Sequence, residues 1–362
     1  MSGLTWSAAL IYFATFAIAA AVTVLSTPLV IRLATHLGVI DHIDDERRVH
    51  EVPTPRVGGI AVFFGFAVAL FAVLGFSLAS PFALLPSALH ETHAKQIEVL
   101  TDQFETVHRL VGLLFGSLLI LGVGIWDDIM GMRPRNKFLA QILVALISML
   151  YGFVISGVTN PFNHNPSTNW IDFPLWIGVP LTLLWYVGMM NAINFIDGLD
   201  GLLAGVAAIS SLFLFVIAVT HANPVVALVV IALAGASLGF LPFNFNPARI
   251  FLGDAGSLFV GYVFATVSII GASKTAIAIS VVVPLVVLAL PILDTAAVIV
   301  RRASAGKKIT EADRGHFHHQ LIFRFGLNVR QAVLLIYAVC FVLGAVALAL
   351  SGELTHVFRH PV

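Results

Sequence analysis

Long apolar runs dominate this chain, and about 20 such residues are what a helix needs to cross a hydrocarbon layer roughly 30 Å thick. Runs of that kind fall near 8–34, 57–79, 109–126, 138–157, 173–190, 201–221, 224–242, 256–272, 275–300 and 331–350. With 59% hydrophobic and 10% charged residues, the composition is far from that of a soluble domain. The sequence therefore predicts an all-α integral membrane protein, a single polytopic domain over 1–362 with about ten transmembrane helices. Pro and Gly inside several runs can be accommodated by neighbouring helices in a bundle.

Charge sets the expected orientation. With the N-terminus outside, fifteen of the nineteen Lys and Arg residues fall on the inner side: Arg32, Arg47, Arg48, Arg56, Arg133, Arg135, Lys137, Arg249, Arg301, Arg302, Lys307, Lys308, Arg314, Arg324 and Arg330. Only Lys95, Arg109, Lys274 and Arg359 are left outside. Cytoplasmic loops carry the basic excess, so both termini are expected outside, in a multi-pass membrane protein. The first span is long for a signal-peptide core and is read as retained. An extracytoplasmic loop at 80–108 places Ile97, Leu100, Phe104 and Val107 at helical spacing, as an amphipathic cap would. The lone Cys340 lies mid-span and reads as a small core hydrophobe.

The polar motifs gather on the same inner side, which points to a site facing the cytoplasm. Asp127 and Asp128 end the third span. Adjacent carboxylates at a membrane boundary need water, a cation or a substrate, and each raises the other's proton affinity, which suits a general base or a metal ligand. Arg133, Arg135 and Lys137 follow, fitting an anionic substrate as well as ordinary positive-inside charge. In NAINFIDGLDG, Asn191, Asn194 and Asp197 recur every third residue, and Gly198, Asp200 and Gly201 form a turn. That mixture of amides and carboxylates suits Mg2+, which prefers oxygen ligands; polar contacts between helices are the plainer explanation. FLGDAGS sets Asp254 in a glycine-flanked turn before a span, where helix amides favour phosphate and where Asp254 or Ser257 could instead cap the helix. There is no GK[ST], so ordinary ATP hydrolysis is disfavoured. In the inner loop at 301–330, His316, His318 and His319 lie near Arg314 and Arg324, a pattern better suited to phosphate or substrate contact than to a closed zinc site. Asp294 is one more carboxylate near the inner end of its span.

Taken together and in this order, the motifs from about residue 36 to 330 resemble the polyprenyl-phosphate N-acetylhexosamine-1-phosphate transferases, most closely the bacterial undecaprenyl-phosphate GlcNAc-1-phosphate transferases. The branch acting on UDP-MurNAc-pentapeptide usually carries three contiguous His, whereas this chain reads HFHH at 316–319. The resemblance implies transfer of a sugar phosphate from UDP-GlcNAc to undecaprenyl phosphate, with release of UMP, at the start of a cell-envelope polysaccharide. It implies Mg2+, with Mn2+ as a substitute. It marks Asp127 and Asp128 as the acidic pair, Asp127 as a candidate base, Asp254 with Asn194 as the metal site, and Lys137 as a phosphate contact. Phe251 would stack on uracil near Asp200, and the His motif would meet sugar and phosphate. Asn191, Asp197, Arg314 and His316 complete the expected substrate contacts, and His318 and His319 are expected to be catalytic together with Asp127 and Asp128. PRVGG (55–59) matches a further family motif and receives no role. The same chemistry on UDP-MurNAc-pentapeptide is the nearest alternative; an ion-coupled transporter and a non-catalytic nucleotide-sugar binder are more distant ones. Partners are the two substrates and membrane lipid, with no nucleic acid expected and a homodimer left open.

Overall fold

The computed structural model describes residues 6–41, 54–79, 93–159, 170–272 and 317–351, with single positions at 289, 293, 297, 302 and 304. Ten helices are found among these residues: α1 (Trp6–His36), α2 (Gly59–Ala79), α3 (His93–Met130), α4 (Pro134–Met149), α5 (Leu175–Ile196), α6 (Leu202–Thr220), α7 (Pro224–Asn244), α8 (Gly253–Ala272), α9 (Phe317–Phe323) and α10 (Val329–Leu350). Two short antiparallel ladders accompany them. β1 (Ile40–Asp41) pairs with β2 (Thr54–Pro55), and β3 (Gly157–Thr159) pairs with β4 (Trp170–Asp172).

Among the described residues seven helices are long and apolar enough to cross a membrane, and Gly59–Gly75 is a shorter apolar stretch. The protein is thus a mostly helical, multi-pass integral membrane protein. The span expected at 275–300, with Asp294, lies outside the described residues apart from single positions, as do both ends of the chain. Two elements differ from the sequence reading. The segment from His93 continues unbroken into the third span, because neither Gly nor Pro interrupts it before Gly112, and the helix runs on through Asp127 and Asp128 to Met130. The fourth run is helical only to Met149, and its tail turns into the β3–β4 ladder.

Packing follows from which helices are apolar all round. α8 is buried along nearly its whole length and takes α3, α5 and α2 as neighbours, while α7 packs on α1, α6 and α2. Such helices belong in the interior of a bundle. Two pairs of hydroxyls meet in this apolar core: Ser148 Oγ lies 2.8 Å from Tyr262 Oη, and Tyr186 Oη 2.9 Å from Thr266 Oγ1. Tyr186 and Tyr262 stack with ring centroids 5.5 Å apart. By contrast, Leu10, Phe13, Leu25 and Leu29 of α1 and Leu139, Leu143 and Leu146 of α4 are exposed, as side chains facing lipid should be. Short connections alternate the helix directions. The C-terminal ends of α3, α5 and α7 and the N-terminal ends of α4, α6 and α8 therefore share one rim of the bundle.

Candidate active site

That rim collects the carboxylates. Asp127 lies in the last turn of α3, and Lys137 in the first turn of α4 after a tight turn through Gly131. Lys137 Nζ stands 2.8 Å from Asp127 Oδ2 and 3.1 Å from Asp254 Oδ1, and 3.5 Å from Asn194 Oδ1. Asn194, near the end of α5, donates from Nδ2 to Asp254 Oδ1 and to Ser257 Oγ, the latter at 2.7 Å. Asp127 Oδ1 in turn accepts the Met132 amide at 2.7 Å. Four residues drawn from three motifs, Asp127, Lys137, Asn194 and Asp254, thus form one polar cluster.

Asp128 faces away from this cluster into the base of α8. Its Oδ1 accepts the Asp254 amide at 3.0 Å and its Oδ2 the Ala255 amide at 2.9 Å. The helix cap expected from Asp254 or Ser257 is supplied instead from α3; Ser257 Oγ donates back to Gly253 O at 3.0 Å. Such contacts satisfy amides that a helix cannot satisfy within itself. Asn191 lies one turn deeper than Asn194, its Nδ2 donating to Gln141 Oε1 at 2.6 Å and to Val187 O at 2.8 Å. Asp200 is buried and turned toward the loop after α7, where its Oδ2 accepts from Asn246 Nδ2 and the Ala248 amide, both at 3.0 Å. Phe251 is half-buried on the strand-like stretch that leads from that loop into α8. Arg314 and His316 lie outside the described residues; His318 and His319 start α9, with their side chains outside the described set.

Several residues to which the sequence reading gave no role complete the site. Gln141 follows Lys137 by one helical turn and makes a second polar rung between α4 and α5, a spacing the sequence could have revealed. Arg56 reaches Asp128, and Tyr337 of α10 donates to Gly201 O, links across 72 and 136 residues for which no local signal exists.

The electrostatics of the cluster call for positive charge. Burial pushes the Asp197 carboxyl well above the usual carboxylate range, with Asp254, Asp128 and Asp200 adding to the effect. At Lys137 burial works against the ammonium, yet Asp254 and Asp127 outweigh it and hold its pKa above the ordinary lysine value. Among the described residues no group of three His, Cys, Asp or Glu side chains is placed to hold a metal ion. The donors do fit Mg2+, which typically takes one or two carboxylates together with substrate phosphates and keeps several waters. Asp254, partly exposed at the rim, and the amide oxygen of Asn194 would hold it.

Fold and site together define a polytopic membrane protein with an acid–lysine–amide cluster at one rim of its bundle, and known proteins are similar to it in sequence. Residues 110–272, from within α3 to the end of α8, match glycosyl transferase family 4. The chain is 34% identical over 327 residues to the probable undecaprenyl-phosphate N-acetylglucosaminyl 1-phosphate transferase of Bacillus subtilis, covering 90% of this chain and 81% of that protein. It is 33% identical over 338 residues to the decaprenyl-phosphate N-acetylglucosaminephosphotransferase of Mycobacterium tuberculosis, covering 88% and 77%. The phospho-N-acetylmuramoyl-pentapeptide-transferase of Listeria monocytogenes is 31% identical over 324 residues, covering 85% and 89%. The chain belongs to glycosyl transferase family 4.

Proposed function

We propose that this protein transfers GlcNAc-1-phosphate from UDP-GlcNAc to undecaprenyl phosphate at the cytoplasmic face of a bacterial inner membrane, releasing UMP and starting a cell-envelope polysaccharide. The observation that carries the reading is the convergence of Asp127, Lys137, Asn194 and Asp254 at one rim of a lipid-embedded bundle. A lipid-bound acceptor and a soluble donor can meet only at such a boundary. The names of the Bacillus and Mycobacterium relatives, both N-acetylglucosaminyl phosphate transferases acting on polyprenyl phosphates, support the choice of donor and acceptor. In the same reading the chain crosses the membrane about ten times, and the basic excess places this rim inside.

In this proposal an oxygen of the lipid phosphate attacks the sugar-bearing phosphorus of the UDP-sugar; the new P–O bond forms as the diphosphate P–O bond breaks, and UMP leaves with that bridging oxygen. Two anions must approach, so positive charge at the site is the main catalytic requirement. Mg2+, or Mn2+ in its place, would supply charge that offsets this repulsion when held by Asp254 and Asn194. Lys137 adds a fixed ammonium beside the transferring phosphoryl group. Asp127, hydrogen-bonded to the Met132 amide, takes any proton that remains on the lipid phosphate. Phe251 offers a ring for the uracil, and Asp200 holds the 246–248 turn that leads to it.

The deciding experiment is UMP release by purified protein with undecaprenyl phosphate and Mg2+, comparing UDP-GlcNAc with UDP-MurNAc-pentapeptide. Release from UDP-GlcNAc that needs both lipid and metal is the expected result. Release from the pentapeptide donor alone would move the protein to the branch of its Listeria relative. No release from either donor by folded protein would overturn the transferase reading in favour of a binder or transporter.

A further inference from the structure

The PRVGG motif and the second carboxylate of the acidic pair meet at the same turn. Asp128 holds that turn from one side: both its oxygens are used, on the successive Asp254 and Ala255 amides, and its side chain is 3% exposed. Arg56, the second residue of PRVGG, completes this contact. Its Nε donates to Asp128 O at 3.1 Å and stands 3.6 Å from Asp128 Oδ1.

The other side of the turn is held by backbone. The Phe251 amide donates to Pro55 O at 2.7 Å, Gly58 N donates to Phe251 O at 2.9 Å, and Gly59 N to Leu252 O at 2.8 Å. Residues 55–59 therefore run beside 251–252 as a short, ladder-like pairing, continuing the strand that β2 begins. Between the two grips lies Gly253 at φ +74°, where a Cβ would collide with Arg56 O and crowd Asp128 Oδ2. The turn is fitted to its holders so closely that it has no room for a side chain.

Asp127 is placed quite differently. One of its oxygens accepts a local amide, and the other meets Lys137 in the polar cluster, on the side where Asp254 and Asn194 converge. The neighbouring aspartates thus have separate duties, because consecutive residues at a helix end point about 100° apart.

We propose that Asp128 and the 55–59 segment form a clamp on the Gly253–Ala255 turn. Asp128 is then a positioning residue that acts through Asp254, and Asp127 is the member of the pair that meets substrate. The clamp itself follows from the contacts; its consequence for turnover rests on the transferase reading above. A carboxylate fully engaged by two amides and an arginine has no free oxygen to offer a phosphate, whereas its loss frees the backbone that aims Asp254.

The test compares Asp128→Asn, Asp128→Ala and Asp127→Asn in the full chain. Amide hydrogen exchange of the peptide covering 251–258 is read in metal-free protein, and UMP release is followed against pH. Asp128→Ala is expected to speed exchange of that peptide by about tenfold, the scale of a lost charge-assisted hydrogen bond. Asp128→Asn keeps one acceptor and restores part of the protection. Both lower turnover. Asp127→Asn leaves exchange unchanged and alters the pH profile. Unchanged exchange in both Asp128 variants, or exchange of that peptide sped up equally by Asp127→Asn, overturns the proposal. If the Asp128 variants do not fold, Arg56→Gln loosens the same turn from its half-exposed side and is judged by the same exchange measurement. The exchange result stands without substrate, so a wild-type protein that releases no UMP would remove the transferase reading and still leave the clamp decided.

Discussion

Replacing Lys137 with Met tests whether a fixed cation is the centre of the site. At contacts of 2.8 and 3.1 Å, each carboxylate gains about 5–6 kcal/mol of gross attraction at an effective dielectric near 20. The net is smaller, because desolvation opposes it and the Asp254 side chain is 27% exposed. Removing one partner of a buried pair typically costs about 3–5 kcal/mol, and partial exposure here places the stability cost at or below the lower end. The catalytic cost is separate: loss of one pre-organised group facing developing negative charge costs about 10²- to 10³-fold in kcat. Lys137→Met should therefore fold and lose at least about a hundredfold in UMP release, with a smaller change in KM for the UDP-sugar. Its affinity for Mn2+, read by electron paramagnetic resonance, should rise, because the ammonium that repels a second cation at Asp254 is gone. Lys137→Arg should not restore the rate, since a planar fork cannot replace a compact ammonium between two carboxylates. A Lys137→Met protein that melts like the wild type and keeps kcat within about fivefold, or binds Mn2+ more weakly, would refute this reasoning.

Other expectations are simpler to check. Asp254→Asn should abolish UMP release while melting and detergent-phase size remain those of the wild type; wild-type turnover would remove Asp254 from the metal site. Chelation with EDTA should stop the reaction, and Mg2+ or Mn2+ should restore it, whereas activity in EDTA would end the metal proposal. For Asp197 the folded-state carboxyl holds its proton to higher pH than the unfolded one, so the native state binds more protons between the two values. Stability of the metal-free protein should accordingly fall as pH rises from about 4 through the raised value, and Asp197→Asn should flatten that slope in thermal melts.

The apolar runs revealed most helices because a span in lipid leaves a period-independent signature of length alone, and α1, α6, α7 and α10 lie within a few residues of where that signature put them. The helical spacing before the third span was legible, but its fusion with that span into one α3 was not, since a hydropathy argument ends a span where polar residues begin. Among site residues, Asp127, Asn194 and Asp254 announced themselves by being costly in lipid. Their partners did not: Arg56 lay in the PRVGG motif without a role, and Gln141 was not singled out at all. The split between Asp127 and Asp128 was beyond the sequence altogether, for it depends on α8 approaching α3 across 126 residues. Asp200 shows the converse: a motif residue whose hydrogen bonds serve the neighbouring turn.

The hydroxyl of Tyr337 that reaches the carbonyl of Gly201 has a consequence for the order in which the protein is made. The two residues are 136 positions apart, and chains grow at about 5–20 residues per second. The turn carrying Asp200 is therefore laid down roughly 7–27 seconds before Tyr337, which ties it in place, is added. During that interval α5 and α6 are already in the bilayer, yet the rim they share is unfinished. Docking of α10 along α6 is what brings the Tyr337 hydroxyl to the Gly201 carbonyl.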